Sequence, residues 1–153
     1  MSGDTKAQAP ELRYEPETGF FCFAYPPGEV KEEYAVALVE GILKLVPAHC
    51  APGEPMFILI DERYSTGVSR EARWVLADAV RTKPYPRGFI ALYGGSFAFR
   101  TFSNLFVKAL MLVSGKLITR AEADEAGARA WLTQQKRAHA TADGSPLKGS
   151  QLR

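Results

Sequence analysis

The stretch of sequence at residues 88–114 limits most strongly what this chain can fold into. It opens with five consecutive apolar residues, Phe89 to Tyr93, which lack the alternation of a strand that has one face in water. Such a run is typical of a central strand that is covered on both faces of a sheet. A Gly-Gly-Ser turn and a long apolar helix follow it. The segment therefore predicts an α/β sandwich.

The predicted helix at residues 97–113 has more apolar residues than one core-facing stripe needs. We expect its buried stripe to follow the i, i+3, i+4, i+7 spacing, as Phe102, Leu105, Phe106, Ala109, Leu110 and Val113 do. Four further apolar residues lie partly off that stripe, namely Phe99, Val107, Met111 and Leu112. This surplus predicts a helix surface that contacts something other than the core.

The remaining chain supplies further strands and helices in alternation. Continuous apolar residues at 56–60 predict a second buried strand, and helices are expected from about Val30 and from Ser69. An edge strand is expected at 116–118, and Thr119 with Glu122 resembles a capping box for the last helix. The predicted fold class is a single-domain α/β sandwich, with a mixed, mostly parallel sheet of about five strands and four helices.

The boundaries of this domain follow from composition. Residues 1–10 are small and polar and are expected to be a flexible leader. Residues 11–136 form the predicted domain, and residues 137–153, which lack helical periodicity, are expected to be a disordered tail.

Charge and cysteine content exclude several classes of function. The formal net charge of +2 is too small to indicate a nucleic-acid partner, and the basic residues are scattered. Cys22 and Cys50 have neither the spacing of metal ligands nor a secretory signal before them, so we expect no disulfide, no metal and no cofactor in a cytoplasmic protein. The longest nearly apolar run, residues 105–113, is interrupted by Lys108, which predicts at most peripheral membrane contact.

Several short segments carry a resemblance to a known family. They are Leu59-Ile-Asp61, the helix from Ser69, Tyr93-Gly-Gly-Ser96 and the closing segment 125–132. Together they resemble the SpoIIAA-like proteins of the STAS domain class (STAS/SEC14), over residues 12–135. The resemblance implies a STAS-like sandwich and a non-enzymatic module that binds an apolar ligand, a membrane surface or a protein partner.

We expect the function to reside on the helix at residues 97–113. Its apolar surplus would contact an apolar ligand or a membrane surface, and two basic side chains would be available for lipid head groups. The predicted binding residues are Phe99, Arg100, Val107, Lys108, Met111 and Leu112.

The first alternative is a regulatory module that binds a protein through the same helix or through phosphorylation at Ser65 or Thr66, which precede a helix. The family's partner switches carry Asp-Ser-Ser-Gly at this place, whereas this chain has Tyr64-Ser65-Thr66-Gly67 and lacks the aspartate. A homodimer is left open.

Two further hypotheses concern the turn before the helix at residues 97–113. Gly94, Gly95 and Ser96 offer backbone N–H groups that could bind an anion, although a strand-to-helix turn with a serine cap has the same sequence. Ser96 also imitates a hydrolase nucleophile, because Asp124 and His139 follow in the order of a triad. The motif lacks its last glycine, and His139 lies in the predicted tail, so we predict that the protein is not an enzyme.

Overall fold

The computed structural model describes residues 10–143, which form a five-stranded sheet, a two-stranded sheet and four helices. The main sheet has five strands in the order β1-β2-β4-β6-β7, where β1 is Arg13–Glu15, β2 is Phe20–Ala24, β4 is Met56–Asp61, β6 is Gly88–Tyr93 and β7 is Leu117–Glu122. Only β1 runs antiparallel to its neighbour, and the other pairs are parallel. The predicted α/β class, with a mostly parallel sheet of five strands, is confirmed.

Four helices connect and cover these strands. They are α1 at Glu32–His49, α2 at Arg70–Thr82, α3 at Phe97–Ser114 and α4 at Glu125–Asp143. Successive side chains of a strand point to opposite faces, so the apolar runs supply two cores. Ile58 and Ile60 face the layer of α1, α2 and α3, whereas Phe57 and Leu59 pack with Trp131 and Leu132 of α4. Burial on both faces explains why these strands lack polar alternation.

A second, two-stranded sheet was not predicted. It joins β3, Gly28–Val30, to β5, Ser65–Val68, in parallel. The sequence predicted a helix from about Val30 and a connection without a strand before the helix that begins at Ser69. Both strands are too short to show a period, and β3 ends where Ser69 donates its backbone N–H to the carbonyl of Val30 at 2.9 Å.

The expected capping box at Thr119 and Glu122 is wrong. These residues belong to β7, which pairs with β6 along its whole length from Leu117 to Glu122. A full ladder of backbone hydrogen bonds takes precedence over a local cap at these positions. Asp124 instead accepts a hydrogen bond from the backbone N–H of Gly127 at 2.8 Å at the start of α4.

The last helix also extends beyond the predicted domain boundary. It continues to Asp143, seven residues past position 136, so residues 137–143 are helical rather than part of a tail. The predicted leader, except for its last residue, and the tail from residue 144 onwards lie outside the described residues.

Candidate functional site

The helix α3 presents a different face to the core from the one predicted. Its fully buried residues are Phe99, Ser103 and Val107, which recur every four positions. By contrast, four of the six members of the predicted core stripe are exposed, namely Phe102, Leu105, Ala109 and Val113. Because each residue turns an α-helix by about 100°, the real buried face is displaced by roughly one residue step. The neighbours of α3 are β7 and α2, and their positions select this face.

A large apolar surface on α3 is therefore exposed, although it consists largely of other residues than predicted. Leu112 is 90% exposed, Phe97 78%, Leu105 64% and Val113 60%. Residues seven and eight apart lie on one side of a helix, so the series 97, 105 and 112 forms a continuous face. The helix carries two basic residues, Arg100 and Lys108, and no acidic residue. This surface, centred on Phe97, Leu105 and Leu112, is called the outer face of α3 below.

Length and composition alone would allow α3 to cross a membrane. Among the described residues it is the one helix that meets these criteria, with a mean hydropathy of 1.2 and 17% of the segment buried. A helix of this composition that lies on a folded sheet can also bind at a membrane surface.

The six predicted binding residues divide between the two sides of α3. Leu112 and Lys108 are exposed on the outer face. Phe99 and Val107 are 5% and 8% exposed, so their assignment to a surface is wrong: both point into the space between α3 and the rest of the fold. The other two, Arg100 and Met111, are half-buried, and the Met111 sulfur accepts a hydrogen bond from the Thr119 hydroxyl at 3.0 Å.

A cavity of about 90 Å³ lies between the three-helix layer and the sheet, behind α3. Almost all of its lining is apolar, and the described residues that line it include no lysine, arginine or histidine. The inner side of α3 contributes Ser103, Phe106, Val107, Leu110 and Met111 to this lining. Two of the predicted binding residues, Val107 and Met111, therefore line a cavity rather than a surface.

One carboxyl group borders this cavity. Glu62 follows the carboxyl end of β4 directly and is only 5% exposed. The Ser103 hydroxyl donates to both of its carboxyl oxygens, Oε1 and Oε2, at 3.1 Å each. Burial raises the pKa of Glu62 from 4.5 to about 8, the Ser103 hydrogen bond opposes that rise, and the charge of Asp61 adds to it. The side chain is therefore largely uncharged near neutral pH.

The neighbouring Asp61 behaves in the opposite way. Although burial raises its pKa, hydrogen bonds from Arg63 lower the pKa below its usual range. The Arg63 guanidinium reaches Asp61 at 2.8 Å, and the backbone N–H of Arg63 donates to the same carboxylate at 2.9 Å. Two consecutive carboxyl groups thus have different charge states, because only the first has a cationic partner.

The turn at Gly94, Gly95 and Ser96 is occupied by the fold itself. Gly94 and Gly95 have φ angles of 90° and 81°, which favour glycine, and the Gly94 N–H donates to the carbonyl of Glu122 at 3.2 Å. Ser96 is the N-cap of α3 and accepts from the Phe99 N–H at 3.1 Å. These contacts are those of a strand-to-helix turn, and they occupy one of the donors of the predicted anion site, the Gly94 N–H.

The other two hypotheses from sequence have different outcomes. Ser65 lies in β5 and is 5% exposed, so its assignment to an exposed phosphorylation site is wrong, whereas Thr66 is exposed. In the proposed triad, Asp124 is engaged at the start of α4, and the hydrogen bond of the Ser96 side chain within residues 10–140 goes to Phe99. The prediction that the protein is not an enzyme remains a prediction.

The described part of the chain contains no cluster of potential metal ligands. No three histidine, cysteine, aspartate or glutamate side chains come together there as ligands. The His49 ring instead stacks on Tyr14 with 3.9 Å between ring centroids.

Sequence reasoning missed Glu62 and Ser103, the polar pair at the cavity. A signal for the second residue exists, because Ser103 stands between Phe99 and Val107 at exact four-residue spacing on an apolar helix. A hydroxyl within a buried stripe requires a partner, and Glu62 is that partner.

No protein-family model matches the chain, and no curated protein matches it. In three dimensions the chain is similar to the crystal structure of an uncharacterized DUF3478-family protein with a SpoIIAA-like fold from Shewanella loihica. The two chains are 17% identical, with a TM-score of 0.53, and the match covers 81% of this chain and 92% of that chain. The resemblance predicted from sequence is confirmed at the level of fold, and the chain has the SpoIIAA-like fold of the STAS domain class.

Proposed function

We propose that the chain is a non-enzymatic cytoplasmic binding module that rests on a membrane surface through the outer face of α3. The observation that carries this proposal is the exposure of Leu112, Phe97 and Leu105 on one side of a helix. Large apolar side chains that are grouped on a surface are typical of a binding site rather than of ordinary solvent contact.

The charges on α3 favour an anionic surface. Lys108 is exposed beside the outer face, Arg100 is half-buried, and no carboxylate lies on the helix to oppose a phosphate. Lysine and arginine side chains can place their charge among head groups while their methylene stems lie along the apolar region. Phe99, Ser103 and Val107 anchor the opposite side of α3 in the fold, which supports an orientation parallel to the membrane rather than across it.

Co-sedimentation with vesicles tests the proposal. The full chain should pellet with vesicles that contain phosphatidylglycerol more strongly than with pure phosphatidylcholine. Leu112→Ser should weaken this binding by at least roughly tenfold, because full burial of a leucine side chain contributes about 1.5–3 kcal/mol. Lys108→Ala should reduce the preference for the anionic vesicles.

A matched control lies on the other side of the sheet. Ile118 is also an exposed apolar residue, at 43%, and it follows Leu117, which faces the three-helix layer, so the two side chains point to opposite faces. Ile118→Ser should leave vesicle binding unchanged. An equal effect of both serine variants, or no binding to either vesicle, would contradict membrane docking and favour the alternative of a protein partner on the same face.

A further inference from the structure

The cavity behind α3 has the composition of a binding site with one polar end. Its walls come from all three helices of the layer and from the sheet, and they are apolar along most of their extent. Glu62 and Ser103 provide hydrogen-bonding groups beside the carboxyl end of β4. Apolar walls with a few convergent polar groups are the usual design of a small-molecule site.

The polar groups at this end can recognise a hydroxyl group. A protonated Glu62 carboxyl donates one hydrogen bond and accepts others, and a hydroxyl group likewise donates and accepts. Because the Ser103 hydroxyl donates to Glu62, the carboxyl proton is free to point elsewhere, towards an acceptor in the cavity.

We propose that this cavity binds an uncharged alkyl compound with a hydroxyl head group, held by Glu62 and Ser103 with its chain among the apolar walls. This site is on the inner side of α3 and does not depend on membrane docking by the outer face.

The charges around the cavity favour an uncharged head over an anionic one. Within residues 10–143 no basic side chain lines the cavity, so a carboxylate ligand would be placed beside a carboxyl group without a compensating cation. The raised pKa of Glu62 indicates the same preference, since the site already disfavours its own negative charge. An alkylammonium ion is the competing ligand, because it could restore the charge of Glu62 through an ion pair.

An alkyl chain requires more space than the unliganded cavity offers. A volume of about 90 Å³ is close to that of three water molecules in the liquid. The walls formed by α2 and α3 are best able to move, because α2 has two fully buried residues and α3 has three, whereas α1 has five. Binding is therefore expected to displace α2 and α3 outward from the sheet.

Methyl NMR of the full chain provides the direct test, with 1-octanol, octanoate and octylammonium as probes. With 1-octanol, saturable shifts should appear at the methyl groups of Val107, Leu110 and Leu117, which line the cavity. Octanoate should bind at least tenfold more weakly near neutral pH, which corresponds to about 1.4 kcal/mol. Shifts confined to Leu105 and Leu112 would show adsorption on the outer face and overturn the proposal.

Variants at the polar end and at Tyr85 identify the anchor. Glu62→Leu should weaken 1-octanol binding roughly tenfold by removing the hydrogen bond, whereas Glu62→Gln keeps a donor and an acceptor and should retain most of the affinity. Tyr85 also lines the cavity, and among the described residues its buried hydroxyl has no hydrogen-bond partner, so Tyr85→Phe tests the other end. Tyr85→Phe should leave 1-octanol binding unchanged.

The remaining outcomes each decide the proposal. Loss of 1-octanol binding in Tyr85→Phe but not in Glu62→Leu would place the hydroxyl head group at Tyr85 instead of at Glu62 and would overturn the proposal. Stronger binding of octylammonium than of 1-octanol, abolished in Glu62→Gln, would assign the site to cations. The Leu112→Ser variant should bind 1-octanol as the natural chain does, so that failure of membrane docking and failure of this site are distinguishable.

Discussion

Glu62 should make the stability of this protein fall as pH rises through the neutral range. Burial raises its pKa from 4.5 to about 8, so the folded state holds a proton that the unfolded chain has lost over this interval. The folded state therefore binds more protons than the unfolded state, and the free energy of unfolding must decrease with pH. The stabilisation by this proton is fully present below about pH 4.5 and is lost as pH approaches 8.

The magnitude follows from the size of the shift. A difference of about 3.5 pKa units corresponds to roughly 5 kcal/mol at about 1.4 kcal/mol per unit. Since a typical domain has about 5–15 kcal/mol of stability, this one side chain would control a large part of it. Glu62→Gln keeps the shape and removes the ionisation. Its stability should match that of the natural chain near pH 4.5 and exceed it by several kcal/mol near pH 9.

Urea unfolding followed by circular dichroism, at several pH values across this interval, measures both curves. In the folded state, burial raises the pKa of the thiols of Cys22 and Cys50 and of the Tyr25 hydroxyl above their ordinary values, so in that state these groups titrate above the interval. The difference between the two proteins removes contributions that they share. Parallel curves from pH 4.5 to 9 would show that Glu62 is solvated and charged, and would refute the reasoning.

Ser103→Ala provides a second, opposite perturbation. The Ser103 hydrogen bond lowers the pKa of Glu62 because it favours the carboxylate. Its removal should raise this pKa further and make the loss of stability at high pH larger than in the natural chain.

Three further predictions concern the α3 cap, the reactivity of Ser96 and an ion pair. Ser96→Ala should cost about 1 kcal/mol of stability, because α3 loses its N-cap. A fluorophosphonate probe should not label Ser96 in the natural chain, and labelling would show that Ser96 is a nucleophile. Hydrogen bonds from Arg129 and Thr18 lower the pKa of Glu15 from 4.5 to about 2. Arg129→Met should raise this pKa. The loss of stability on acidification from about pH 4.5 to 2 should therefore be smaller in the variant than in the natural chain. Carboxyl-carbon NMR of Glu15 measures this pKa, and an unchanged value would contradict the role assigned to Arg129.

Sequence patterns predicted the central part of the fold because its strands are buried on both faces. A continuous apolar run such as Phe57 to Ile60 has few alternatives to a covered parallel strand. The small sheet of β3 and β5 could not be predicted in this way, since its strands have three and four residues and depend on contacts between distant parts of the chain. Glu62 was missed for a related reason, because its burial depends on α3, 41 positions away at Ser103.

The outer face of α3 was the least predictable feature, and measurements of the stability of variants can test it. This helix has apolar residues on all its sides, so two different stripes of its own residues satisfy the helical spacing. The placement of α2 and β7 selects which stripe is buried. Val107→Ser would bury a hydroxyl and open space in the core, and should cost roughly 2–5 kcal/mol. Leu105→Ser changes a side chain that is 64% exposed and should change stability by at most about 0.5 kcal/mol. Thermal and urea unfolding of the two variants measure this difference. An equally large loss of stability in both variants would mean that α3 is buried on all sides and has no outer face with which to bind.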